Sequence, residues 1–481
     1  MKLDQLLEGV ALTACAVSQD VQITSVSYDT RTLEPGALFV ALTGYKTDGH
    51  LHIGEALEKG AAAVLCQRAP DGEGPWLVCP DTRAALAAVS ANWFFHPARE
   101  MKLLAVTGTN GKTTTTYLLK EVLERCAGAK VGLIGTNRNM IGGESFPAGR
   151  TTPESWDLQQ LLRHMADGGC THVVMEVSSH ALVLHRVDTL RFAAGIFTNL
   201  TPDHLDFHKT MEAYRDAKGL LFDQTDLAVL NLDDEAGRYF AQQVSCPKLT
   251  YSENKNEADL TAKNIRLFPE RVEFEAVTID DIRRVRLPIP GGFSIYNALG
   301  VLACTLGLGL PLSAAAEALA HVEGVKGRVE VVPVPAPYTV IIDYAHTPDA
   351  LENILTTVRG LTQNRVICLF GCGGDRDRSK RPVMGAIAAD LADFVVVTDD
   401  NPRTEPPRTI IDDILKGMEG TSTPYEVKSD RRAAIRYALS QGQPGDVIVL
   451  AGKGHETYQE IDGVKHHLDE REEIRDFFAK A

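Results

Sequence analysis

The run of residues 102–126 constrains the fold more than any other segment of the chain. It passes from the apolar stretch KLLAVT through the glycine-bearing turn GTNG into KTTTTYLLKEVLERC, whose apolar residues form one helical stripe. The backbone N–H groups of such a turn and the start of the helix converge on an anion, and Lys112 adds a mobile cation. The pattern predicts a buried strand, an ATP-binding loop and a helix, with the Thr113 hydroxyl placed to reach Mg²⁺.

This loop departs from the usual nucleotide motif GxxxxGK[ST]. Position 106 is Val, and the nearest upstream glycine is Gly108. The alternative interpretation is a glycine turn followed by a surface lysine. The order strand, loop, helix favours nucleotide binding over that alternative.

Repeated strand and helix signals predict an α/β protein of three domains. The 481 residues suffice for about two to four domains. Up to residue 98, short apolar runs alternate with turns, and residues 52–66 within this part look helical. Four further strand signals follow and predict a parallel sheet, near residues 130–134, 172–177, 195–198 and 227–231. Closely spaced prolines after residue 327 end that unit, and a doubly wound unit follows. We place the domains at 1–98, 99–330 and 331–481.

Charge and cysteine usage exclude several classes of protein. The 64 acidic and 49 basic residues give a formal net charge of −15, which opposes binding to nucleic acid and anionic lipid. The nine cysteines never show the paired CxxC spacing of a structural zinc site. We expect a monomeric cytoplasmic protein without a nucleic-acid partner or membrane insertion, because no long apolar run or basic leader is present.

Acidic and histidine side chains follow two predicted strands. Glu176 closes the run THVVME, and Asp203, His204, Asp206 and His208 lie within six residues after the next strand. Carboxylate oxygens are the ligands that Mg²⁺ prefers, and strand ends of a parallel sheet can meet beside a phosphate loop. The alternative is a pair of solvated turns.

Lys218 lies in EAYRDAKGLLF, on a predicted helix with apolar neighbours. Taken alone it is interpreted as a surface residue. A neutral lysine amine near metal ions can instead add CO₂ and become a carbamate, whose oxygens suit Mg²⁺.

Ten motifs, in order, resemble the Mur ligase family, which builds the peptidoglycan precursor peptide by ATP-dependent amide formation. They are TGTNGKTTT, EVSSHAL, FTNLTPDHLD, YRDAKGLLF, YNALG, GRVE, DYAHTPDAL, GCGGDRDRSKRP, DDNPRTE and AGKGHE, preceded by YDTRTLEPGALFVAL. The resemblance implies a small N-terminal UDP-binding domain, a central P-loop ATPase-type domain and a C-terminal Rossmann-like domain that binds the incoming amino acid. It is strongest to the members that add the third residue to UDP-MurNAc-L-Ala-D-Glu through an acyl phosphate.

The resemblance also implies roles for individual residues. ATP contacts are expected from Gly108, Thr109, Asn110, Gly111, Lys112, Thr113, Thr114, Asn297, Arg328 and Asp343. UDP-substrate contacts are expected from Thr30, Tyr45, Lys46, Thr47, Thr151, Thr152, Ser178 and Arg186. The catalytic set is Lys112, Glu176, His204 and Lys218, with Thr113 and Glu176 holding one Mg²⁺ and His204 with carbamylated Lys218 a second. Leu184 and Thr30 depart from the family pattern, which has Gln and often Ser there.

The third domain carries the chemistry expected for meso-diaminopimelate. The far end of this acceptor has a carboxylate and an ammonium, so its pocket needs a guanidinium fork and anionic or carbonyl acceptors. The predicted contacts are Arg376, Asp400, Asn401, Pro402, Arg403, Gly452 and Glu456. L-Lysine lacks the carboxylate and is disfavoured. Alternatively, Arg376 and Arg403 only stabilise their loops through surface ion pairs.

Two rival functions are weighed against this one. The same scaffold serves folylpolyglutamate synthetase and other Mur ligases, and DNPR together with YDTR argues against them. An ATP-controlled binding switch without ligase chemistry is disfavoured by the intact set of Lys112, Glu176, His204 and Lys218.

Overall fold

The structure is a computed structural model whose described residues form three large sheets, in consecutive parts of the chain, and one two-stranded hairpin. It describes residues 1–18, 20–44, 47–268 and 270–480, with only the backbone of residue 480. In this part of the chain, no helix has both the length and the apolar character needed to cross a membrane.

The N-terminal sheet has five strands in the order β1-β5-β4-β3-β2, of which only β1 runs antiparallel to its neighbour. Its strands are β1 Ala14–Cys15, β2 Val26–Ser27, β3 Leu38–Val40, β4 Ala63–Cys66 and β5 Trp76–Val78. Its helices are α1 Leu3–Leu6, α2 Ile53–Glu58 and α3 Thr82–Trp93, with 3₁₀ turns at Thr30–Thr32, Gly49–His52 and Pro97–Glu100. The helical interpretation of residues 52–66 is wrong beyond Glu58, because Gly60 turns the chain at φ +86° into β4.

The central sheet has eleven strands in the order β16-β15-β14-β13-β12-β11-β6-β10-β7-β8-β9. They are β6 Lys102–Thr107, β7 Val131–Ile134, β8 Asn139–Ile141, β9 Glu144–Phe146, β10 His172–Glu176, β11 Ala194–Phe197, β12 Ala228–Asn231, β13 Lys248–Ser252, β14 Leu260–Phe268, β15 Arg271–Val277 and β16 Ile282–Leu287. The helices are α4 Lys112–Ala127, α5 Ser155–Asp167, α6 Ser179–Val183, α7 Leu205–His208, α8 Met211–Gly219, α9 Glu235–Gln243, α10 Phe293–Gly307 and α11 Leu312–Leu319, with a 3₁₀ turn at Leu220–Gln224.

The predicted parallel sheet is confirmed only at the centre of this array. Strands β7, β10, β6, β11, β12, β13 and β14 run parallel. The prediction did not include the two edges, where β8–β9 and β15–β16 add antiparallel strands. In β15 every second residue is buried, which is the pattern of a strand with one face on the core and one toward solvent.

The third sheet has six strands in the order β17-β18-β22-β19-β20-β21, and only the edge strand β17 is antiparallel. The strands are β17 Glu330–Val332, β18 Thr339–Asp343, β19 Val366–Phe370, β20 Phe394–Val397, β21 Tyr425–Val427 and β22 Val447–Ala451, followed by the separate hairpin β23 Tyr458–Ile461 and β24 Val464–His467. The helices are α12 Pro348–Leu361, α13 Lys380–Leu391, α14 Pro407–Lys416, α15 Arg431–Ser440 and α16 Glu470–Lys480. Apolar residues of α12–α14 pack on one face and those of α15 and α16 on the other, so the predicted doubly wound unit is confirmed.

Polar contacts join the three units. Tyr28 donates to Asp157 at 2.7 Å, between the first and central sheets. The Thr201 hydroxyl donates to Asp349 at 3.1 Å, between the central and third units. We retain 98/99 and 330/331 as proposed boundaries, with β17 beginning at residue 330.

Candidate active site

The loop between β6 and α4 needs glycine at two points. Gly108 has φ +146°, and a Cβ there would lie 1.9 Å from the Thr198 hydroxyl oxygen. Gly111 has φ +84°, and a Cβ there would lie 2.5 Å from the Asn297 side-chain oxygen. Thr198, after β11, also donates to the Asn110 carbonyl at 2.6 Å. The neighbouring strand end therefore fixes the loop with its backbone close to the place where an anion would bind.

Lys112 lies across this loop. Its Nζ donates to the Gly108 carbonyl at 2.9 Å and to the Thr109 carbonyl at 2.8 Å. Burial lowers the pKa of Lys112, while the nearby charges of Glu176 and Asp203 favour its ammonium form. The Lys112 amine is therefore held against the loop, in a partly buried position.

Glu176 stands at the end of β10 and is 1% exposed. Its Oε1 accepts from the Thr113 hydroxyl and from the Thr136 amide, both at 2.9 Å. Its Oε2 accepts from the Thr136 hydroxyl at 3.0 Å. A hydroxyl and a carboxylate side by side next to a phosphate loop are hard oxygen donors, so this pair fits Mg²⁺.

Lys218 is 1% exposed, so its interpretation as a surface residue is wrong. Its Nζ donates to the Gly108 carbonyl at 2.9 Å and lies 4.4 Å from the centre of the Tyr214 ring. Burial, together with the charge of Lys112, holds the pKa of Lys218 well below its ordinary value of 10.5. A neutral amine is the form that reacts with CO₂, so the environment suits carbamate formation.

His204 lies near the same loop. Its Nε2 is 3.3 Å from Asp203, and its ring meets that of His180 edge-on at 4.8 Å. About half of the His204 side chain is exposed, and desolvation of the remainder lowers its pKa, which favours the neutral imidazole that can bind a metal ion. No group of three or more His, Cys, Asp or Glu side chains with metal-holding geometry occurs in the described ranges.

The three other predicted ATP residues lie on different segments: Arg328 in the hinge before the third domain, Asp343 at the end of β18 and Asn297 on α10. Arg328 Nη2 reaches the Thr113 hydroxyl at 3.5 Å, and its guanidinium lies 4.7 Å from the centre of the Tyr344 ring. Asp343 accepts from the Val329 amide at 2.7 Å and from the Ala345 amide at 2.8 Å, so its carboxylate fixes the backbone next to Arg328. Asn297 on α10 accepts from Thr115 at 3.3 Å and borders Gly111.

Four predicted UDP-substrate residues lie together at the end of β10. The Thr152 hydroxyl donates to the Glu176 carbonyl at 2.9 Å and accepts from the Ser178 amide at 3.1 Å. Arg186 donates to the Thr152 carbonyl at 3.1 Å, and the Thr151 hydroxyl is 3.0 Å from that of Thr136. A cavity of about 460 Å³ between the first and central units, lined in part by residues 149, 150, 153 and 154, opens beside this cluster.

The other predicted UDP-substrate residues lie in the first unit. The Thr30 carbonyl accepts from Lys59 at 2.8 Å, and the Thr47 carbonyl accepts from the Gly44 amide at 3.0 Å. Tyr45 and Lys46 lie outside the described residues.

In the third domain, Arg376 and Arg403 come together on the loops after β19 and β20. An ideal Cβ on Gly373 would lie 2.9 Å from Arg403 Nη1 and 3.8 Å from Arg376 Cγ. Arg403 also donates to the Gly374 carbonyl at 2.8 Å, and a Cβ on Gly374 would lie 1.9 Å from the Pro402 carbonyl oxygen. The two arginines therefore share one small region of the surface.

The remaining acceptor residues surround Lys453, which sequence reasoning missed. Lys453 is fully buried, and its Nζ donates to Asn401 at 2.6 Å and to Glu456 at 3.1 Å. Asp400 lies 3.2 Å from the same Nζ, and Gly452 borders Asp400 with φ +112°. The motif AGKGHE contains this lysine, but the letters alone do not reveal its burial among these carboxylates.

Sequence reasoning also missed the partners of the phosphate loop. The side-chain amide of Asn110 donates hydrogen bonds to two residues outside the loop, to Thr201 at 3.4 Å and to Asp349 at the start of α12. The Asn110 backbone amide donates to Asn199 at 2.9 Å. Asp349 belongs to the motif DYAHTPDAL, which the sequence shows, but the motif alone predicts no role for this residue.

The fold and the site define a three-domain α/β nucleotide-dependent enzyme, with a phosphate loop in the central domain that contacts Asp349 of the third domain. Three family profiles match in order: "Mur ligase family, catalytic domain" over residues 22–93, "Mur ligase middle domain" over residues 106–305, and "Mur ligase, glutamate ligase domain" over residues 327–454. The chain belongs to the Mur ligase family.

Individual relatives agree with this assignment. The UDP-N-acetylmuramoyl-L-alanyl-D-glutamate--2,6-diaminopimelate ligase of Caldanaerobacter subterraneus subsp. tengcongensis is 46% identical, with 100% of each chain covered. The enzyme of the same name from Clostridioides difficile is 43% identical, also with 100% of each chain covered. A solved structure of a ligase with this name is 33% identical with a TM-score of 0.71, covering 100% of this chain and 99% of that one. MurF from Acinetobacter baumannii, at 20% identity, a TM-score of 0.65 and coverage of 99% and 98%, shares the fold.

Proposed function

We propose that this chain is an ATP-dependent ligase that joins meso-diaminopimelate to the D-glutamate side chain of UDP-MurNAc-L-Ala-D-Glu in peptidoglycan precursor synthesis. The observation that carries the proposal is the convergence of Lys112, Glu176 and buried Lys218 on the loop at Gly108. The full-length similarity to ligases with this name supports the same substrates.

The reaction needs activation because a free carboxylate is a poor electrophile. A carboxylate oxygen of the D-glutamate side chain attacks the γ-phosphorus of ATP, the bond to the bridging oxygen breaks, and ADP leaves. Lys112 and the loop amides at the start of α4 would bind the phosphates while charge spreads over the transferring group, and the position of the Lys112 amine against the loop supports this role. The amine of the acceptor then attacks the acyl carbon, and phosphate and a proton are released as the amide forms.

Metal binding is part of the proposal. Mg²⁺, when bound, supplies positive charge that offsets the phosphate charge. Thr113 and Glu176 would hold one ion, and His204 with carbamylated Lys218 would hold another. The Lys218 nitrogen would form a bond to the carbon of CO₂ and release one proton, which converts a buried amine into a pair of oxygens carrying one negative charge. The buried position of Lys218 beside the loop supports this modification.

Recognition of the two other substrates follows the domain structure. Thr151, Thr152, Ser178 and Arg186 are proposed to bind the muramoyl peptide, because they surround the end of β10 next to Glu176. Thr30 and the loop of residues 45–47 are proposed to bind the uridine end. The closing of the third domain onto the other two would exclude water that otherwise hydrolyses the acyl phosphate.

The acceptor is proposed to be meso-diaminopimelate. Arg376 and Arg403 can form charge-assisted hydrogen bonds to its distal carboxylate, and Asp400, Asn401 and Glu456 offer acceptors for its ammonium group. Pro402 and Gly452 shape the backbone around them. We also propose a monomeric cytoplasmic protein, which the nine free cysteines and the net charge of −15 support.

The test is ADP release with ATP, Mg²⁺, UDP-MurNAc-L-Ala-D-Glu and meso-diaminopimelate, with each component omitted in turn. We expect turnover only when all are present, and a UDP-linked tripeptide by mass spectrometry. Lys112→Met is the inactive control, since it removes the cation at the loop without adding bulk. ATP hydrolysis independent of the other substrates would indicate a binding switch and contradict the proposal.

A further inference from the structure

Arg381 is a charged side chain at the start of α13 that is fully buried. Its Nη2 and Nη1 donate to the two oxygens of Glu405 at 2.7 and 3.0 Å. Nη1 also donates to Asp413 at 3.1 Å. Burial of a guanidinium is costly unless it is paired in good geometry, and two carboxylates provide that pairing here.

The partners of Arg381 belong to both loops that carry the acceptor arginines. Its Nη2 also reaches the Gly373 carbonyl at 3.4 Å, in the loop of residues 373–376. Glu405 closes the loop of residues 401–405 and accepts from the Asp375 amide at 2.6 Å. One buried guanidinium therefore connects the loop of Arg376 to the loop of Arg403.

The two loops are joined at further points. The Thr404 hydroxyl donates to Asp375 at 2.8 Å, and the Gly374 amide donates to the Asn401 carbonyl at 2.9 Å. Arg403 lies at φ +52°, a backbone conformation that a non-glycine residue adopts only when its surroundings hold it there. Its amide and carbonyl are hydrogen-bonded to the hairpin residues Glu460 and Asp462.

We infer that Arg381 is a positioning residue that sets the spacing of Arg376 and Arg403, and thereby the preference for an acceptor whose far end carries a carboxylate as well as an ammonium. Both of its terminal nitrogens are already engaged, and its side chain is buried, so it acts through the loops and does not touch the acceptor. The inference rests on the proposed function and adds the source of its amino-acid specificity.

Lysine cannot replace this side chain. A guanidinium offers a planar fork that binds both oxygens of Glu405 and still reaches Asp413 and Gly373, whereas an ammonium is a single charged point on a flexible stem. Arg381→Lys keeps the positive charge and loses the geometry. The loops would keep their arginines but not a fixed distance between them.

The test compares Arg381→Lys with Arg378→Lys in the full-length protein. Arg378 donates to the same Asp413 at 2.8 Å and is 58% exposed, and the contacts described for it leave both loops untouched. We expect Arg381→Lys to raise the KM for meso-diaminopimelate by about tenfold or more, with the KM values for ATP and UDP-MurNAc-L-Ala-D-Glu within about twofold of wild type. The ratio of diaminopimelate to L-lysine incorporation should fall in parallel, and Arg378→Lys should change none of these values.

An unchanged KM for meso-diaminopimelate, or an equal rise in all three KM values, would overturn the inference. If circular dichroism shows that Arg381→Lys does not fold, the test uses Thr404→Val instead. Thr404 is exposed, and this change removes only the hydrogen bonding of its hydroxyl to Asp375, which joins the two loops. A selective rise in the same KM supports the inference, and no rise refutes it. If the wild-type protein does not use meso-diaminopimelate, the proposed function is refuted together with the inference. If the wild-type protein prefers meso-diaminopimelate and the variant keeps that preference, only the role of Arg381 is refuted.

Discussion

Replacement of Glu176 by glutamine separates the charge of this residue from its shape. The glutamine oxygen can still accept from the Thr113 hydroxyl and the Thr136 amide, which now meet Oε1 at 2.9 Å. The glutamine nitrogen can donate to the Thr136 hydroxyl, 3.0 Å from the present Oε2. The side chain therefore stays in place while the negative charge beside the phosphate loop is lost.

The expected effect on stability is modest and the effect on turnover is large. Hydrogen bonds to a charged acceptor contribute about 1 kcal/mol more than those to a neutral one, so two such bonds cost about 2 kcal/mol. This corresponds to a fall in Tm of about 4–8 °C for a unit of the size of the central domain. Removal of one preorganised electrostatic contact typically lowers kcat by about 10²–10³-fold, and we expect the same for Glu176→Gln.

The assay is ADP release at saturating substrates, with Tm measured by circular dichroism and the Mg²⁺ concentration varied. Glu273→Gln on β15 is the matched control, because it also removes one hydrogen-bonded carboxylate charge from the central domain. Glu273 pairs with Arg271 and Arg284, away from the phosphate loop. The control should keep wild-type turnover, and high Mg²⁺ should restore part of the activity of Glu176→Gln. Turnover of Glu176→Gln within about threefold of wild type would refute the electrostatic role of this carboxylate.

Three further changes have defined outcomes. Lys218→Ala should abolish turnover, and a short carboxylic acid should restore part of it by supplying the missing oxygens; full activity without the acid would contradict the carbamate role. Gly374→Ala places a Cβ 1.9 Å from the Pro402 carbonyl oxygen and should raise the KM for meso-diaminopimelate, whereas Gly360→Ala, with open space around it, should not; equal KM values would contradict the loop geometry. Burial raises the pKa of Asp399 from 3.8 to about 6. As the pH rises, the unfolded chain releases this proton at a lower pH than the folded protein does. The stability associated with the bound proton is therefore lost as pH rises through 6. Asp399→Asn should therefore raise the free energy of unfolding by about 1–2 kcal/mol at pH 8 and by almost nothing at pH 4, as followed by thermal unfolding; a gain independent of pH would contradict this.

The phosphate loop could be predicted because its determinants are adjacent in the sequence. A buried strand, two glycines and an amphipathic helix between residues 102 and 127 are enough to specify β6, the loop and α4. The strands β8 and β9 at one edge of the central sheet were missed for a different reason. Strands of three residues such as β8 and β9 carry too few positions to show a period, and their pairing depends on the strand β7 beside them.

Burial of charged groups is the part of the site that the sequence could not reveal. The sequence of its own helix predicts that Lys218 is a surface residue. It is buried because the loop at Gly108, 110 residues earlier in the chain, packs over its amine. Lys453 likewise pairs with Asp400, and Arg381 pairs with Glu405, each on a different loop of the third domain. Such pairs arise from tertiary packing between distant segments, so local spacing does not encode them.

A competition reaction tests the central claim most directly. The protein is given ATP, Mg²⁺ and UDP-MurNAc-L-Ala-D-Glu with equal concentrations of meso-diaminopimelate and L-lysine, and the two tripeptide products are quantified by mass spectrometry. The product ratio equals the ratio of kcat/KM values. A ratio of about 100 or more in favour of diaminopimelate, as expected from a lost arginine–carboxylate contact of a few kcal/mol, is the predicted result. Equal products, an excess of the lysine product, or no tripeptide at all would contradict the account.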